Sequence, residues 1–314
     1  MMDEHADILK LVEISRLYYE RNLTQAKIAK KMNISRPAVS KLLSEARNRG
    51  IVKIQIKSPL MSDLPLLQEL CEVYGLKGGL VVPSGSADDK MIMRLLVSQA
   101  SLYFEKLLPQ VNRVGLGWGD TMGRLVDELK QKIFLDEKKG CVCPVIGSAP
   151  NDIRWFQTNE LARIFAEKTG FTPYYLHAPA FPGSRKNKML FENTIQYQEI
   201  SRLWGELDLV ILGAGIYPSV PDQATAVRFG NLLKEKKAVG MIATYCFDKD
   251  GTIIESKDDI VIRIPLEDLK KSKQVFVIGG GEKKIYSIRG TLKTGLVTHL
   301  ITDDRTARAL LDIA

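Results

Sequence analysis

The sequence predicts an α/β protein in which a small, basic N-terminal domain precedes a larger domain built on a mostly parallel sheet. Near the N-terminus, two amphipathic helical patterns are separated only by Asn33-Ile34-Ser35. From Gly79 onward, apolar segments of strand length alternate with helical patterns, which is typical of a parallel sheet covered on both faces. A length of 314 residues with 45% hydrophobic content fits two globular domains.

The two N-terminal helices have clear boundary residues. Thr24 is suited to cap the first helix, Ser35 to cap the second, and Pro37 falls in the opening turn, where a missing amide donor is harmless. Gly50 follows the second helix as a C-terminal stop. Two short helices joined by so tight a turn cross steeply and leave the second one protruding, which predicts a helix-turn-helix.

Flanking elements complete this domain. The apolar stripe from Ile8 to Tyr18 predicts a supporting helix, and residues 51–57 alternate apolar and polar side chains, which predicts a small wing strand with Lys53 and Lys57 on one face. We expect a winged helix-turn-helix domain at 1–57, a proline-containing linker at 58–65 and an effector and oligomerisation domain at 66–314, with a helix from Leu64 to Tyr74.

Charge is concentrated in the helix-turn-helix. Residues 1–60 carry 12 basic and 6 acidic side chains, whereas the other 33 basic side chains are almost balanced by 31 acidic ones. Such a one-signed surface favours binding of DNA phosphates. Arg36 is the best candidate for guanine, and Lys30, Lys41 and Arg47 suit the backbone; the alternative is a solvated basic hairpin without a DNA role. The residues expected at DNA are Thr24, Gln25, Ser35, Arg36, Ala38, Ser40 and Lys41.

Several other classes of protein are not expected. The segment MMDEHADILK lacks the basic start and apolar run of a signal peptide, and no stretch approaches the ~18 apolar residues of a membrane span, so a cytoplasmic location is predicted. Cys141 and Cys143 lie two apart in a predicted strand without zinc-site spacing. Buried free thiols are expected there, with a metal or redox role as the alternative, and no cofactor is predicted.

The larger domain alternates strands and helices along its length, and Phe247 to Thr252 predicts a hairpin turn that makes part of the sheet antiparallel. Strands are predicted at 80–82, 111–116, 141–146, 174–177, 207–212, 238–246, 260–264, 274–278 and 299–302. Helices are predicted at 88–108, 121–130, 158–168, 187–203, 222–236, 266–271, 282–289 and 304–312.

Glycines cluster where four predicted strands end. The segment 114–122 places three glycines and Thr121 between a strand and a helix, an arrangement suited to cradling a phosphate, although a plain tight turn is the alternative. The spacing of these three glycines differs from that of the dinucleotide-binding motif GxGxxG and of the ATP-binding Walker motif. Segments 279–284 and 212–216 and the pair Gly147-Ser148 follow other strands. Parallel strands would bring these clusters to one mouth.

The sequence resembles the SorC family of transcriptional regulators, which includes deoxyribonucleoside and central glycolytic gene regulators. The resemblance rests on TQAKIAKKMNISRPAVSKLLSEARNRG, GLGWGDTM, LGAG and GGGEKKIYSIRGTLKTGLVTHLITDDRTARALL, in that order. It implies an effector domain similar to ribose-5-phosphate isomerase and glucosamine-6-phosphate deaminase, a phosphorylated sugar as effector, operator DNA as partner and a dimer or tetramer. It assigns phosphate to Gly117, Gly119, Thr121 and Lys284. The full set expected at the effector site is Gly117, Trp118, Gly119, Asp120, Thr121, Gly147, Gly213, Gly215, Gly280, Gly281 and Lys284.

Two positions depart from the family pattern. The deoxyribonucleoside regulator has a Schiff-base lysine where this chain has Ile146, so covalent capture of an aldehyde is not expected. The family commonly has an acid where this chain has Met241, so a polar contact to a sugar hydroxyl is lost. A different sugar phosphate, or a less hydroxylated effector, is therefore expected.

An enzyme is the second hypothesis: a sugar-phosphate isomerase or deaminase with an added DNA-binding domain. Such an enzyme needs a carboxylate base, for which Asp208, Asp222, Glu282 and Asp303 are the candidates. None of these carboxylates has a second acid–base residue at a spacing typical of a catalytic pair, and the three histidines do not cluster in the sequence. We expect no catalytic residue. A ligand-free nucleoid-type protein is a third alternative, against which the glycine-rich mouth argues.

Overall fold

A computed structural model describes residues 2–52, 62–130, 140–149, 153–218 and 228–314. The chain divides into two compact units, Met1–Pro59 and Leu60–Ala314. Each has a hydrophobic core of its own. Residues 53–61, which include the predicted wing side chains Lys53 and Lys57, lie outside the described residues.

The N-terminal unit contains the predicted helix-turn-helix. Helix α1 (Met2–Ser15) continues into a π-helical turn (Arg16–Glu20), and α2 (Gln25–Met32) and α3 (Arg36–Asn48) follow. The two predicted caps are confirmed: the Thr24 hydroxyl accepts from the Lys27 amide and the Ser35 hydroxyl from the Ala38 amide, both at 3.3 Å. Apolar side chains from all three helices form one core, comprising Ile14, Leu17, Ile28, Ala29, Val39 and Leu43.

The second unit begins inside the predicted linker. Helix α4 (Leu64–Tyr74) has the predicted bounds, and Asp63 caps it through the Leu66 amide. Residues 64 and 65 are thus the first turn of a helix rather than linker. Leu66 and Leu70 are buried in the main core, so α4 is part of the second unit's fold.

A seven-stranded parallel sheet organises the second unit. Its strands are β1 (Gly78–Val82), β2 (Arg113–Leu116), β3 (Cys141–Pro144), β4 (Thr172–Pro173), β5 (Leu209–Gly213), β9 (Gln274–Ile278) and β10 (His299–Asp303). They lie in the order β1-β10-β9-β5-β2-β3-β4 and every pair is parallel. All carboxyl ends therefore lie at one edge, as the clustered glycines predicted.

Helices cover both faces of this sheet, and a buried apolar cluster lies on each face. Their bounds are α5 (Asp89–Leu107), α6 (Asp120–Glu128), α7 (Thr158–Thr169), α8 (Arg185–Glu192), α9 (Ile195–Trp204), α10 (Leu232–Glu235), α11 (Leu266–Lys271), α12 (Ile285–Lys293) and α13 (Asp304–Asp312). Short 3-10 turns at 108–110, 154–156 and 282–284 join them.

A small antiparallel sheet sits beside the large one. It consists of β6 (Gly215–Ile216), β7 (Gly240–Ile242) and β8 (Tyr245–Phe247). The predicted turn after Phe247 is confirmed, because the Gly251 amide donates to the Asp248 carbonyl at 3.1 Å and Phe247 pairs with Ile253 in an antiparallel bridge.

Some predicted elements were wrong in length or type. The strand predicted at 238–246 is broken by Ala243 and Thr244, both of which have positive φ. The helix predicted at 187–203 is interrupted at Thr194, whose hydroxyl caps α9. Residues 174–177 and 260–264 lack a continuous strand; the second contributes one bridge, from Arg263 to Ile146. Of the helix predicted at 222–236, residues 222–227 lie outside the described residues.

The register of β1 against β10 leaves no room for a side chain at Gly79. A Cβ there would lie 1.9 Å from the Leu300 carbonyl oxygen, and the φ of +144° disfavours other residues. We expect Gly79→Ala to lower the free energy of unfolding by about 3 kcal/mol or more, measured by chemical denaturation. In Gly205→Ala, where φ is −68° and the nearest contact is 3.5 Å, the change should stay within about 0.5 kcal/mol. Equal midpoints for the two variants would contradict the close approach of β10 to Gly79.

Candidate functional site

The DNA-facing candidates of the first unit surround a groove of about 690 Å³. Thr24, Gln25 and Arg36 line it, so the start of α2 and the start of α3 border one concave surface. Tyr18 and Tyr19, from the π-helical turn, line the same groove. Sequence reasoning assigned Tyr18 to the apolar stripe of the supporting helix and did not single out Tyr19.

Most basic side chains of α2 and α3 are exposed. Arg36 and Lys41 are exposed on α3, and Ser35 and Ser40 are exposed beside them, whereas Ala38 is half-buried. Glu45, the single acid between Thr24 and Gly50, is paired with Arg49 at 2.6 Å. The other exposed basic side chains between Thr24 and Gly50 are those of Lys27, Lys30, Lys31 and Arg47. This surface is suited to a nucleic acid.

In the second unit, the loop from β2 to α6 forms the centre of the mouth. The Gly117 amide donates to the Ile211 carbonyl and the Gly119 amide to the Trp155 carbonyl, which fixes the loop against β5 and the 154–156 turn. Gly119 has φ +101° and no side chain to cap α6. The amides of the first turn of α6, from Asp120 onward, therefore point at the mouth without intrahelical acceptors.

Two further predicted residues border this loop. A Cβ on Gly213 would lie 3.4 Å from the hydroxyl oxygen of Thr121, so the end of β5 faces the start of α6. Trp118 is half-buried, with its ring centre 5.4 Å from that of Phe156. The end of β2, the end of β5 and the ring of Trp118 thus lie next to one another.

The triple-glycine loop after β9 is held differently from the prediction. The Gly281 amide donates to the Asp303 carboxylate at 3.1 Å and to the Thr306 hydroxyl at 2.9 Å. The next amide, of Glu282, donates to Asp89 at 3.2 Å. A Cβ on Gly280 would lie 2.3 Å from the Asp303 carboxylate. The loop's glycines therefore permit close packing on Asp303, and the Gly281 amide is already occupied.

Lys284 is the half-buried lysine of this loop. Burial lowers the pKa of its amine, and the negative charges of Asp120 and Asp89 oppose that lowering. The Lys284 amine is therefore within electrostatic range of Asp120, the first residue of α6. No carboxylate of the described ranges lies within ion-pair distance of its amine. Lys284 is thus a partly desolvated cation beside the uncapped helix, an arrangement that favours an anion.

Gly215 and Gly147 have backbone packing roles. A Cβ on Gly215 would lie 2.7 Å from the Met241 side chain, and its carbonyl accepts from Ser287 at 2.5 Å. The Gly147 amide donates to the Ile262 carbonyl at 3.0 Å. The structure therefore brings Gly117 to Thr121, Gly213 and Lys284 together, whereas the amide of Gly147 is occupied.

The two departures from the family pattern both lie in apolar surroundings. Ile146 is fully buried in a cluster with Ala180 and Val261, bordered by Trp118 and Phe181. Met241 packs into a separate cluster that contains Phe229 and Cys246. Where the family resemblance places a reactive lysine, this chain therefore has a buried hydrocarbon side chain.

The carboxylates weighed as catalytic bases have structural partners. Asp208 lies at the amino end of β5, opposite to the mouth, and accepts from two backbone amides and from Lys273 at 2.7 Å. Asp303 is buried and caps α13 through the Thr306 amide. Glu282 is exposed, and Asp222 lies outside the described residues. No pair of these described carboxylates is arranged for proton transfer at carbon.

Cys141 and Cys143 both pack against the main core as free thiols, and burial raises the pKa of both. Within the described ranges, no three His, Cys, Asp or Glu side chains come together as metal ligands. No helix of those ranges has the length and apolar content needed to cross a bilayer.

Asp89, Asp303 and Thr306 organise the mouth but were missed as site residues. Asp89 stands at the start of α5, and 193 positions separate it from Glu282, whose amide it binds. An acid in the first turn of a helix is an ordinary helix-start signal, so the sequence around Asp89 does not predict its contact with Glu282.

Comparison with known proteins agrees with this architecture. The family model for sugar-binding domains matches residues 58–312, and that for region 4 of sigma-70 matches residues 5–49. The deoxyribonucleoside regulator of Bacillus subtilis (strain 168) is 31% identical over 310 residues, covering 96% of each chain. The sorbitol operon regulator of Klebsiella pneumoniae is 28% identical over 326 residues, covering 99% of this chain and 100% of that one.

The crystal structure of the full-length sorbitol operon regulator SorC from Klebsiella pneumoniae superposes with a TM-score of 0.71 at 26% identity, covering 98% of this chain and 99% of that chain. These relatives and structural neighbours are transcription regulators and not enzymes. From its sugar-binding domain, its helix-turn-helix and its full-length relatives, the chain belongs to the SorC family of sugar-binding transcriptional regulators.

Proposed function

We propose that the sugar bound by this regulator is phosphorylated, and that its phosphate lies between the start of α6 and Lys284. The observation that carries this proposal is the partly desolvated Lys284 amine across from the uncapped first turn of α6. A phosphate there would accept from backbone amides, from the Thr121 hydroxyl and from the ammonium group. The predicted effector residues Gly117, Trp118, Gly119, Asp120 and Gly213 supply the shape of the same site.

The carboxylates near Lys284 suit the sugar rather than the phosphate. Asp89 and Asp120 both act electrostatically on the Lys284 amine. Ionised carboxylates repel a phosphate because both groups are negatively charged. They accept hydrogen bonds, and sugar hydroxyl groups can donate them. The Asp120 carboxylate is already paired with Arg124 at 2.8 Å. We therefore infer that the sugar hydroxyls point toward Asp89 and the phosphate toward the backbone amides at the start of α6. Gly280 and Gly281 support this site by packing, since the Gly281 amide is occupied.

Regulation requires that the effector and DNA influence each other. An effector changes operator affinity only if it binds two states of the protein unequally, and the coupling is then reciprocal. Each chain has one described helix-turn-helix, so a symmetric operator requires a homo-oligomer, and we infer a dimer or tetramer. We propose a DNA-binding domain at 1–57 and an effector and oligomerisation domain at 66–314, extended at its start to Leu64 by the first turn of α4.

The phosphate proposal is tested by thermal stability of the wild type against phosphorylated sugars and their unphosphorylated parents. A ligand that binds only the folded state raises the melting temperature. We expect a response to phosphorylated compounds only, and we expect Thr121→Ala and Lys284→Ala to reduce that response while operator binding without effector is retained. Titration curves that overlay the wild type for both variants would exclude this site.

Lys284 also makes a prediction about stability. Because burial lowers its pKa below the ordinary 10.5, the unfolded chain holds more protons between the two pKa values, and stability should rise with pH across that window. At neutral pH the folded wild type buries a charged amine, which is unfavourable. Lys284→Met removes that charge, so without effector its melting temperature near neutral pH should equal or exceed that of the wild type. The difference should shrink as the pH approaches 10.5. The neighbouring Lys283 is exposed, and Lys283→Met should follow the wild type throughout. A Lys284→Met protein markedly less stable at neutral pH would contradict the assignment.

For DNA, we propose that Arg36 contacts a base and that Lys30 contacts the backbone. Arg36→Ala is expected to weaken binding to a selected operator about tenfold or more at fixed salt and to relax specificity at one position. Lys30→Ala is the control. It should weaken binding to all sequences alike and lower, by about one, the slope of the logarithm of the binding constant against the logarithm of the salt concentration. Fluorescence anisotropy on operator and random duplexes separates the two. An unchanged specificity ratio in Arg36→Ala would remove Arg36 from the base-contacting set.

A further inference from the structure

The hydroxyl group of Thr121 has a partner outside the proposed phosphate site. It donates to the sulfur of Met93, with 3.8 Å between Oγ1 and Sδ. Thr121 is only 6% exposed, and Met93 is half-buried. A buried hydroxyl normally has a hydrogen-bond acceptor, and within the described parts of the chain the Met93 sulfur is the acceptor at this one. The proton that we assign to the effector phosphate is therefore directed at helix α5.

Helix α5 holds the Met93 sulfur in place. Asp88 caps the start of this 19-residue helix. Ile92 and Leu96, on either side of Met93 in sequence, are buried in the apolar cluster on one face of the large sheet. A Cβ on Gly280 would lie 2.7 Å from Leu96, so α5 packs directly on the loop after β9. The sulfur is thus presented by a long helix anchored in the core, and its contact with α6 does not depend on a loop.

One face of α5 borders both parts of the proposed phosphate site. Asp89 and Met93 are four residues apart, which places them on the same side of the helix. Asp89 accepts from the Glu282 amide at 3.2 Å and acts electrostatically on the Lys284 amine. Met93 accepts from the Thr121 hydroxyl. Sequence analysis assigned α5 no part in effector binding, yet its first two turns contact the chain at both groups that are expected to hold the phosphate.

The chemistry of this contact sets up a competition. A hydroxyl group has one proton, so Thr121 donates either to the Met93 sulfur or to a phosphate oxygen. A thioether sulfur is a weak acceptor, whereas an anionic oxygen is a strong one, so the exchange favours phosphate. The free energy of the lost sulfur contact is subtracted from the gain. An apolar side chain of the same size at position 93 would leave the hydroxyl without that acceptor and would make phosphate binding tighter.

We propose that Met93 is a positioning residue that sets the affinity of the phosphate site, because its thioether competes with the effector phosphate for the Thr121 proton. This inference rests on the proposed phosphate site. The weak acceptor keeps the buried hydroxyl paired and directed, and a phosphate displaces it at small cost. The affinity of the site is then determined partly by α5, which lies outside the glycine-containing loops.

Thermal stability of the full-length protein, titrated with inorganic phosphate and with ribose 5-phosphate at an ionic strength held constant with chloride, tests this proposal. Met93→Leu keeps the volume and the helix propensity of the side chain but cannot accept a hydrogen bond. We expect it to lower the Kd of both probes about threefold. Met91→Leu is the matched control. It makes the same substitution on the same helix at a side chain that is 47% exposed, and its Kd should equal that of the wild type.

A double-mutant cycle separates competition for the proton from packing. Thr121→Val removes the hydroxyl and keeps the shape of the side chain, and both probes should bind more weakly to it. In that background, Met93→Leu should leave the Kd unchanged, because the competition requires the hydroxyl. If Met93 acts only by filling space, Met93→Leu changes the Kd equally with and without the hydroxyl. If Thr121→Val binds neither probe, the wild-type, Met91→Leu and Met93→Leu curves still decide.

The outcomes distinguish this inference from the phosphate site itself. Absence of a response to both probes in the wild type overturns both. A wild-type response that is equal or weaker in Met93→Leu leaves the phosphate site standing and overturns the role of Met93. Equal tightening with and without the Thr121 hydroxyl overturns it as well, as does equal tightening in Met91→Leu. Tightening by Met93→Leu that requires the Thr121 hydroxyl supports both proposals.

Discussion

The parallel run of all seven strands is the constraint on which the second unit depends. It brings the carboxyl ends of β2, β3, β5 and β9 to one edge, where loops far apart in the sequence meet. The buried carboxylate of Asp303 then closes the arrangement, since it accepts from Gly281 on one loop and caps α13 on another. Glycines are required there because a Cβ on Gly280 or Gly281 would collide with Asp303 or Asp89.

The two glycine-containing loops of the mouth, after β2 and after β9, differ in whether their backbone amides are already hydrogen-bonded. Amides after β9 are consumed by Asp303, Thr306 and Asp89, whereas the first turn of α6 keeps its donors because Gly119 provides no cap. A loop rich in glycine is thus not by itself an anion site; what matters is whether its amides have partners. The lysine beside the uncapped helix differs from a surface lysine, because its desolvation weakens its own protonation and strengthens its attraction to an anion.

The sequence predicted most elements whose signal is local. The bounds of α4 and β9 and the caps at Thr24 and Ser35 follow from apolar spacing and hydroxyl placement. Failures occurred where a distant partner decides the structure. Apolar residues 238–246 resemble one strand, but Arg228 and Arg263 hold the Thr244 carbonyl in a turn. Residues 260–264 look like a strand, yet only Arg263 pairs. Site members Asp89 and Asp303 were missed because their contacts span many residues.

Ile146 and Met241 show how one scaffold selects among effectors. Each replaces a polar or reactive side chain with hydrocarbon, and each is buried or packed against other apolar groups rather than against an open site. Removing polarity from the wall raises the cost of any uncompensated ligand hydroxyl placed there. Selection among ligands then depends on the charged and polar groups elsewhere in the mouth, of which the partly desolvated Lys284 is one. Because electrostatic attraction is stronger in a desolvated site, a partly buried charge there can distinguish ligands of nearly equal size that differ in charge.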